Sequence, residues 1–319
     1  MLTILSLTWA MQNQQLIIPV NGPFNFKECL WFLDRGYDDC LIRVYRDHFR
    51  KALIVENEEI IFDVFGDIEG LKVTIISGKL KEQTIDYIKR YLTEWFDLEN
   101  DLEDYYRAIS FDERLNYMSD TFYGLRLIGI PDLFEAIVWC IIGQQINLTF
   151  AYKIKRRLVE EFGKQVNCQN QTFYIFPSPQ DFKTVDPQDL LRIQLSKSKA
   201  NYILEVAKAF LEGRINKKVL IEQASFELQQ RLLMSIKGIG LWTANYVLMK
   251  CIRINNSVPY GDAGLSNALI QHQIIANKTD LVGTKHFFRQ FEGWESYLVF
   301  YLWHSLSKNV KINSVHREK

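Results

Sequence analysis

The sequence predicts an α+β protein, with an antiparallel-sheet module first and an all-α region after it. Three observations predict this. Up to about residue 95 the chain offers short, β-branched-rich runs separated by turn residues, which is the pattern of strands. From about residue 112 those runs stop, and apolar residues recur at helical spacing. Charge changes sign at nearly the same place: residues 1–125 hold 13 Lys+Arg against 22 Asp+Glu, and residues 126–319 hold the other 25 against 16. A balance of −9 followed by one of +9 predicts one part that meets a polyanion and one that does not, although solvated surfaces also differ in charge without any such partner. The expected division is a mixed α/β module over 1–105 and an all-α domain over 106–319.

The predicted strands, in order, are QQLIIPV (14–20), CLIRVYR (40–46), FRKALIV (49–55), EEIIFDVF (58–65) and LKVTIIS (71–77). Among them NFKECLWFLDR (25–35) and KEQTIDYIKRYLTEWF (81–96) have helical spacing, and the acidic DLENDLEDYYR (97–107) leads out of the module. The stretch 132–163 predicts two helices separated near Asn147. A polar, loop-like segment follows over 164–179. Further helices are predicted at 186–193, 197–212, 224–236, 241–253, 263–274, 284–291 and 293–307, with the short connections of a packed helical domain.

Composition narrows the class. At 48% hydrophobic and 24% charged residues the chain reads as an ordinary globular protein, and its 319 residues allow two domains. The five cysteines contain no C-x-x-C pair, which argues against a disulfide scaffold, a zinc ribbon or an iron–sulfur loop and fits free thiols in a reducing cytoplasm. The five histidines are equally scattered. MLTILSLTWAMQ lacks a basic leader and a long apolar run, so no signal peptide is expected, and Met11 is an alternative start. No run reaches the eighteen or so apolar residues of a membrane span, which predicts a soluble chain.

The stretch KGIGLWTANYVL (237–248) carries the first chemical signal. Glycine costs roughly 1 kcal/mol against alanine inside a helix, so Gly238 and Gly240 mark an interruption between two helices. Glycine takes backbone angles that other residues resist, and the N–H groups that open the second helix would then point toward an anion. Taken alone, the same Gly-x-Gly fits a plain glycine C-cap followed by a new helix. Asp262, ahead of AGLSNALI, likewise fits an ordinary helix N-cap.

Context distinguishes these readings. LLMSIKGIGLWTANYVLM (232–249) resembles the helix–hairpin–helix of the base-excision DNA glycosylase superfamily. VPYGDAGL (258–265) is similar to that family's Gly/Pro-rich loop ending in an essential aspartate. FEAIVWCIIGQQINLTFAYKIKRRLVEEFG (134–163) resembles its helix pair carrying Gly-Gln-Gln, and GWESYLVFYLWHSL (293–306) its closing helix. The four segments occur in the family's order over about residues 114–307. The resemblance is strongest to the 3-methyladenine DNA glycosylase II branch and extends less specifically over 12–95. It implies an amino-terminal antiparallel-sheet α/β module followed by an all-α helix–hairpin–helix glycosylase core of two helical subdomains. It also implies a monomeric, cytoplasmic enzyme of bacterial type that binds double-stranded DNA with damaged bases, needs no organic cofactor and meets no membrane.

The resemblance also implies roles for residues. Asp262 would stabilise the cationic sugar that develops as the base departs and assist water, a task suited to a carboxylate in a partly dry site. Relatives that also cut the strand carry a lysine nucleophile at the second position after Gly-x-Gly. Here that position is Trp242, which implies a monofunctional enzyme that leaves an abasic site. Trp242, Tyr246 and Trp303 would form an aromatic pocket for an alkylated, cationic purine, each face contributing roughly 0.5–2 kcal/mol; each is otherwise a core aromatic. Gln145 would fill the gap left by the extruded base, or be a surface residue at a helix end. Gly238, Gly240, Thr243 and Lys237 would grip phosphate. The carbonyls of Met234, Ile236 and Ile239 would hold Na+ or K+ at the hairpin with DNA. Lys153, Lys155, Arg156, Arg157, Lys197 and Lys199 are available for wider electrostatics. Two further readings are a non-catalytic hairpin protein that only binds DNA and a glycosylase for deaminated or oxidised bases. Asp262 and the aromatic set count against the first, and Trp242 against the oxidised-base lyase branch of the second.

Overall fold

The computed structural model describes residues 15–307; the reading of MLTILSLTWAMQ and Met11 lies outside the described residues. Five strands form one antiparallel sheet: β1 (Gln15–Pro19), β2 (Ile42–Val44), β3 (Phe49–Val55), β4 (Glu58–Asp67) and β5 (Gly70–Ser77), in the spatial order β1-β5-β4-β3-β2. Each falls within about two residues of its predicted run. β3 and β4 are joined by Glu56 and Asn57, both at positive φ (49° and 66°), the geometry that matches the twist of a two-residue hairpin. The alternation places Phe49, Leu53, Ile60, Phe62, Val64 and Val73 on one face, where they pack against helices Phe26–Leu33 and Glu82–Phe96. Phe49 stacks on Phe96 at 5.7 Å and meets Trp95 edge-on at 5.0 Å. Lys51 occupies a position on that same buried face.

The other face of the sheet is covered by an element that the sequence did not reveal. Residues 164–175, expected as a loop, form a hairpin of β6 (Lys164–Cys168) and β7 (Gln171–Ile175). Its turn is Gln169-Asn170, both at positive φ, instead of the glycine-containing pair that advertises such a turn. Val166 and Phe173 close on Ala52 and Ile61 of the sheet. The region after residue 112 is therefore helical apart from this hairpin, which corrects the all-α expectation.

The predicted helices are present with most ends shifted by up to three residues. That predicted at 284–291 begins earlier, as Leu281–Phe288 followed by a 3-10 turn at Arg289–Phe291. That predicted at 241–253 is α-helical over Leu241–Val247 and then turns as a π-helix over Leu248–Ile252. The pair around Asn147 is Leu133–Gly143 and Leu148–Phe162, with Asn147 as N-cap accepting from the Phe150 N–H at 2.9 Å. Every residue from Leu133 to Ile142 is buried, as expected of a helix apolar all round. Short helices at Glu103–Ser110, Tyr117–Thr121 and Lys217–Ile221 were not predicted.

Buried side chains form two large clusters. One joins the sheet module to residues 249–302, so that Phe32 packs on Phe300 at 4.5 Å and the Tyr297 hydroxyl meets Asp97. The other gathers the helices between Leu133 and Cys251. Arg126 is wholly buried and donates to the carbonyls of Asn21, Asp97 and Asn100, fastening the linker to the sheet module. Among the described residues no helix is long and apolar enough to cross a membrane.

Candidate active site

Between the sheet module and the helices lies a cleft of about 980 Å³. Its helical wall follows from the hairpin. Helix Phe226–Met234 ends, Gly238 turns at φ +97°, and Gly240 caps helix Leu241–Val247. Gly238 is required twice over: its φ lies in the left-handed region, and a Cβ would stand 2.2 Å from the Tyr202 ring. Gly240 differs from the expectation. Its φ of −93° suits any residue, and nothing lies within 4 Å of where a Cβ would be.

Trp242 and Tyr246, one turn apart, face the cleft and lie 5.7 Å apart between ring centres. Trp303, from helix Glu295–Ser307, stands 5.8 Å from Tyr246. Asp262 caps helix Ala263–Gln271, its Oδ1 accepting from the Leu265 N–H at 2.7 Å. The same oxygen accepts from Trp303 Nε1 at 2.9 Å, and Oδ2 accepts from Trp242 Nε1 at 3.2 Å. The structure thus brings all four predicted residues together, and it adds that both tryptophans donate to the carboxylate. Beyond Tyr246 the wall continues through Trp139, whose indole donates to the Tyr246 hydroxyl at 3.2 Å, to Tyr152 at 4.7 Å from Trp139. Burial raises the Tyr246 pKa far above the ordinary range.

Gln145 is exposed at the rim, in the left-handed conformation (φ 57°), and the segment that carries it is tied down. Gln144 donates to the Gly238 carbonyl at 3.1 Å, and Lys199 Nζ donates to the carbonyls of Ile142 and Gln144 at 2.8 and 2.7 Å. Sequence reasoning assigned Gln144 no role and placed Lys199 among the general electrostatic residues. Thr243 is not presented to an outside phosphate. It is 1% exposed, and its hydroxyl accepts the Gln144 amide at 3.4 Å. Lys237 is exposed, as a phosphate contact requires. At the hairpin the Ile236 carbonyl accepts the Ile239 N–H at 3.1 Å. A carbonyl has two lone pairs, so Ile236, with Met234 and Ile239, retains capacity for a monovalent cation.

The opposite wall was invisible in the sequence because its parts are far apart in the chain. Lys155 is 5% exposed and pairs with Glu135 at 3.1 Å and Asp39 at 3.2 Å. Burial alone would weaken the hold of Lys155 on its proton, but the two carboxylates override it and raise the pKa. Arg156 pairs with Asp38. Of the basic residues expected to be available on this helix, Lys155 and Arg156 are therefore already committed, while Lys153 stays exposed.

Known proteins resemble this chain over most of its length. Residues 138–294 match the model of the HhH-GPD superfamily of base excision DNA repair proteins, and residues 13–137 match the 8-oxoguanine DNA glycosylase N-terminal domain. The chain is 32% identical over 313 residues to the DNA-3-methyladenine glycosylase of Bacillus subtilis (strain 168), covering 94% of this chain and 100% of that protein. The solved 3-methyladenine DNA-glycosylase of Archaeoglobus fulgidus superposes with a TM-score of 0.78 at 25% identity, over 91% of this chain and 97% of that one. The DNA complex of the Clostridium acetobutylicum 8-oxoguanine glycosylase/lyase shares the fold, with a TM-score of 0.72 at 18% identity over 92% and 99% of the two chains.

Proposed function

Because the chain belongs to the HhH-GPD superfamily of base excision DNA repair proteins, we propose that its cleft hydrolyses the N-glycosidic bond of alkylated purines flipped out of duplex DNA. In this reading its branch is 3-methyladenine DNA glycosylase II, with bases of the 3-methyladenine and 7-methylguanine type as substrates. The observation that carries this reading is the Asp262 carboxylate set between two indoles at the mouth of an aromatic cleft. The relative from B. subtilis, aligned over nearly the whole chain, supports the same substrate class.

The chemistry follows from the residues. A base inside a duplex must leave the stack before it can enter such a cleft, at a cost of a few kcal/mol. Gln145, at the rim, takes its place in the helix. The N–H groups of Gly238 and Gly240, with Lys237, hold the adjoining phosphates, and the hairpin carbonyls of Met234, Ile236 and Ile239 hold Na+ or K+ when DNA is bound. The purine lies against Trp242, Tyr246 and Trp303. An alkylated purine is cationic and a good leaving group, and aromatic faces attract it. As the bond stretches, positive charge grows on the sugar, where Asp262 meets it and then guides water. Position 242 offers no amine to attack the sugar, so the product is an abasic site in an unbroken strand. The protein acts as a monomer in the cytoplasm and needs no organic cofactor.

Asp262→Asn keeps the size of the side chain and removes its charge. Base release from methylated duplex DNA is expected to fall by at least about a hundredfold, while duplex binding changes little. A variant that released base at the wild-type rate would refute the assignment.

A further inference from the structure

The helix that carries Trp242 and Tyr246 does not end with them. Leu241–Val247 runs on into a single π-helical turn, Leu248–Ile252, and Lys250 follows Tyr246 by four residues as Tyr246 follows Trp242. Residues four apart share a helix face. All three line the cleft, and Lys250 is the most deeply placed, at 5% exposure. Along this face Trp242, with Asp262 beside it, comes first, then Tyr246, then Lys250.

Two aromatic rings and one backbone carbonyl receive the Lys250 side chain, with no carboxylate beside it. Its Nζ lies 4.6 Å from the centre of the Phe300 ring and 5.4 Å from that of Phe32, and it donates to the Ile128 carbonyl. No carboxylate counts among the charges that act on it; burial, then Arg253 and Arg35, weaken its hold on its proton. Burying such a group without a counter-ion is costly, and methionine would fill the same space at less cost. The main chain at this position is also held in place. Ile130 N–H donates to the Lys250 carbonyl at 2.8 Å, and at Gly129 a Cβ would stand 2.6 Å from that oxygen. π-turns within α-helices are frequent at functional sites.

The cleft floor is also rich in donors. Lys51, 4% exposed, enters from β3 and donates to the Leu41 carbonyl at 3.4 Å. The nearby carboxylates Asp39 and Glu135 are both engaged by Lys155. The Lys250 nitrogen carries two N–H donors as an amine and three as an ammonium, and the Ile128 carbonyl takes one, so a donor is left in either state. A ligand reaching this end meets hydrogen-bond donors more readily than acceptors.

We propose that Lys250 is a specificity-determining residue that donates to a carbonyl oxygen on the far edge of the flipped-out base. Purines with a keto group there, such as 7-methylguanine and hypoxanthine, are held better than purines with an amino group. This rests on the reading of the cleft as a base pocket. It adds selection by the edge of the base to the attraction of aromatic faces for its charge.

The test uses one pool of methylated duplex DNA, from which 7-methylguanine and 3-methyladenine are released and measured together. Lys250→Met is expected to lower kcat/KM for 7-methylguanine by about tenfold or more and to leave that for 3-methyladenine within about threefold. An equal loss for both bases in a variant that melts like the wild type, or no change in either, overturns the proposal. A second measurement needs no variant. Free hypoxanthine is expected to quench the tryptophan fluorescence of the wild-type chain at a concentration about tenfold or more below that required for adenine. Equal binding of the two overturns the proposal even if Lys250→Met fails to fold. A wild-type chain that releases neither methylated base refutes the alkylated-purine reading instead, and the free-base comparison still judges Lys250.

Discussion

The Asp262 carboxylate accepts three hydrogen bonds, two from indoles and one from the backbone of the helix it caps. An indole N–H only donates, so each tryptophan restricts the carboxylate to one orientation. The residues themselves were legible in the sequence, since their spacing matched motifs. Their relation was not: Trp242 and Trp303 were expected to act through their faces, and nothing in the spacing showed that their edges point at Asp262. Trp303→Phe separates the two roles, because it keeps a ring against the base and removes the donor to Oδ1. A hydrogen bond to a charged group is worth about 1.5–3 kcal/mol, so single-turnover base release is expected to fall roughly ten- to a hundredfold with binding of lesion DNA little changed. Loss of binding with an unchanged rate would make Trp303 a stacking residue only.

At the scale of the element, the hairpin shows how far a motif can be read. Its two glycines looked equivalent in the sequence, yet Gly238 is held at φ +97° against Tyr202 and Gly240 is extended with open space beside it. Gly238→Ala is expected to cost about 2 kcal/mol or more of stability and to weaken DNA binding, because the backbone must shift away from the Tyr202 ring. Gly240→Ala should leave the melting temperature within a few degrees. Thermal melts of the two variants decide this, and equal destabilisation would contradict the account. Thr243 was misread for a related reason. On a helix whose Trp242 and Tyr246 face the cleft, position 243 is turned about 100° away and goes inward to meet Gln144. The β6–β7 hairpin was missed because its turn is Gln169-Asn170 and its strands are five residues each. Those strands find their apolar surface at Ala52 and Ile61, which are remote in sequence.

For the whole molecule, the charge division along the chain has a partly internal explanation. Basic residues of the helical part pair with acidic residues of the sheet module: Arg156 with Asp38, Lys155 with Asp39, Lys164 with Glu59 and Lys217 with Glu94. The two halves thus attract each other as well as differing in their attraction for a polyanion. The sheet module also forms a wall of the cleft, supplying Asp39, Lys51, Tyr91 and Trp95. Neither fact could be read from sequence, since both depend on residues more than a hundred positions apart meeting across a groove. What remained legible was the order of four local motifs, and that order sufficed to locate the carboxylate and its aromatic neighbours.

The central claim is that Asp262 drives a hydrolysis in which no amine of the protein attacks the sugar. The most direct measurement follows a duplex bearing one 7-methylguanine through a single turnover, with and without borohydride, and resolves free base, intact strand and cleaved strand. The expected result is free base with an intact strand that breaks only on later heating in alkali, and no protein joined to DNA by borohydride. Strand cleavage without that treatment, or a trapped protein–DNA adduct, would mean that a cleft lysine acts as nucleophile and would contradict the account.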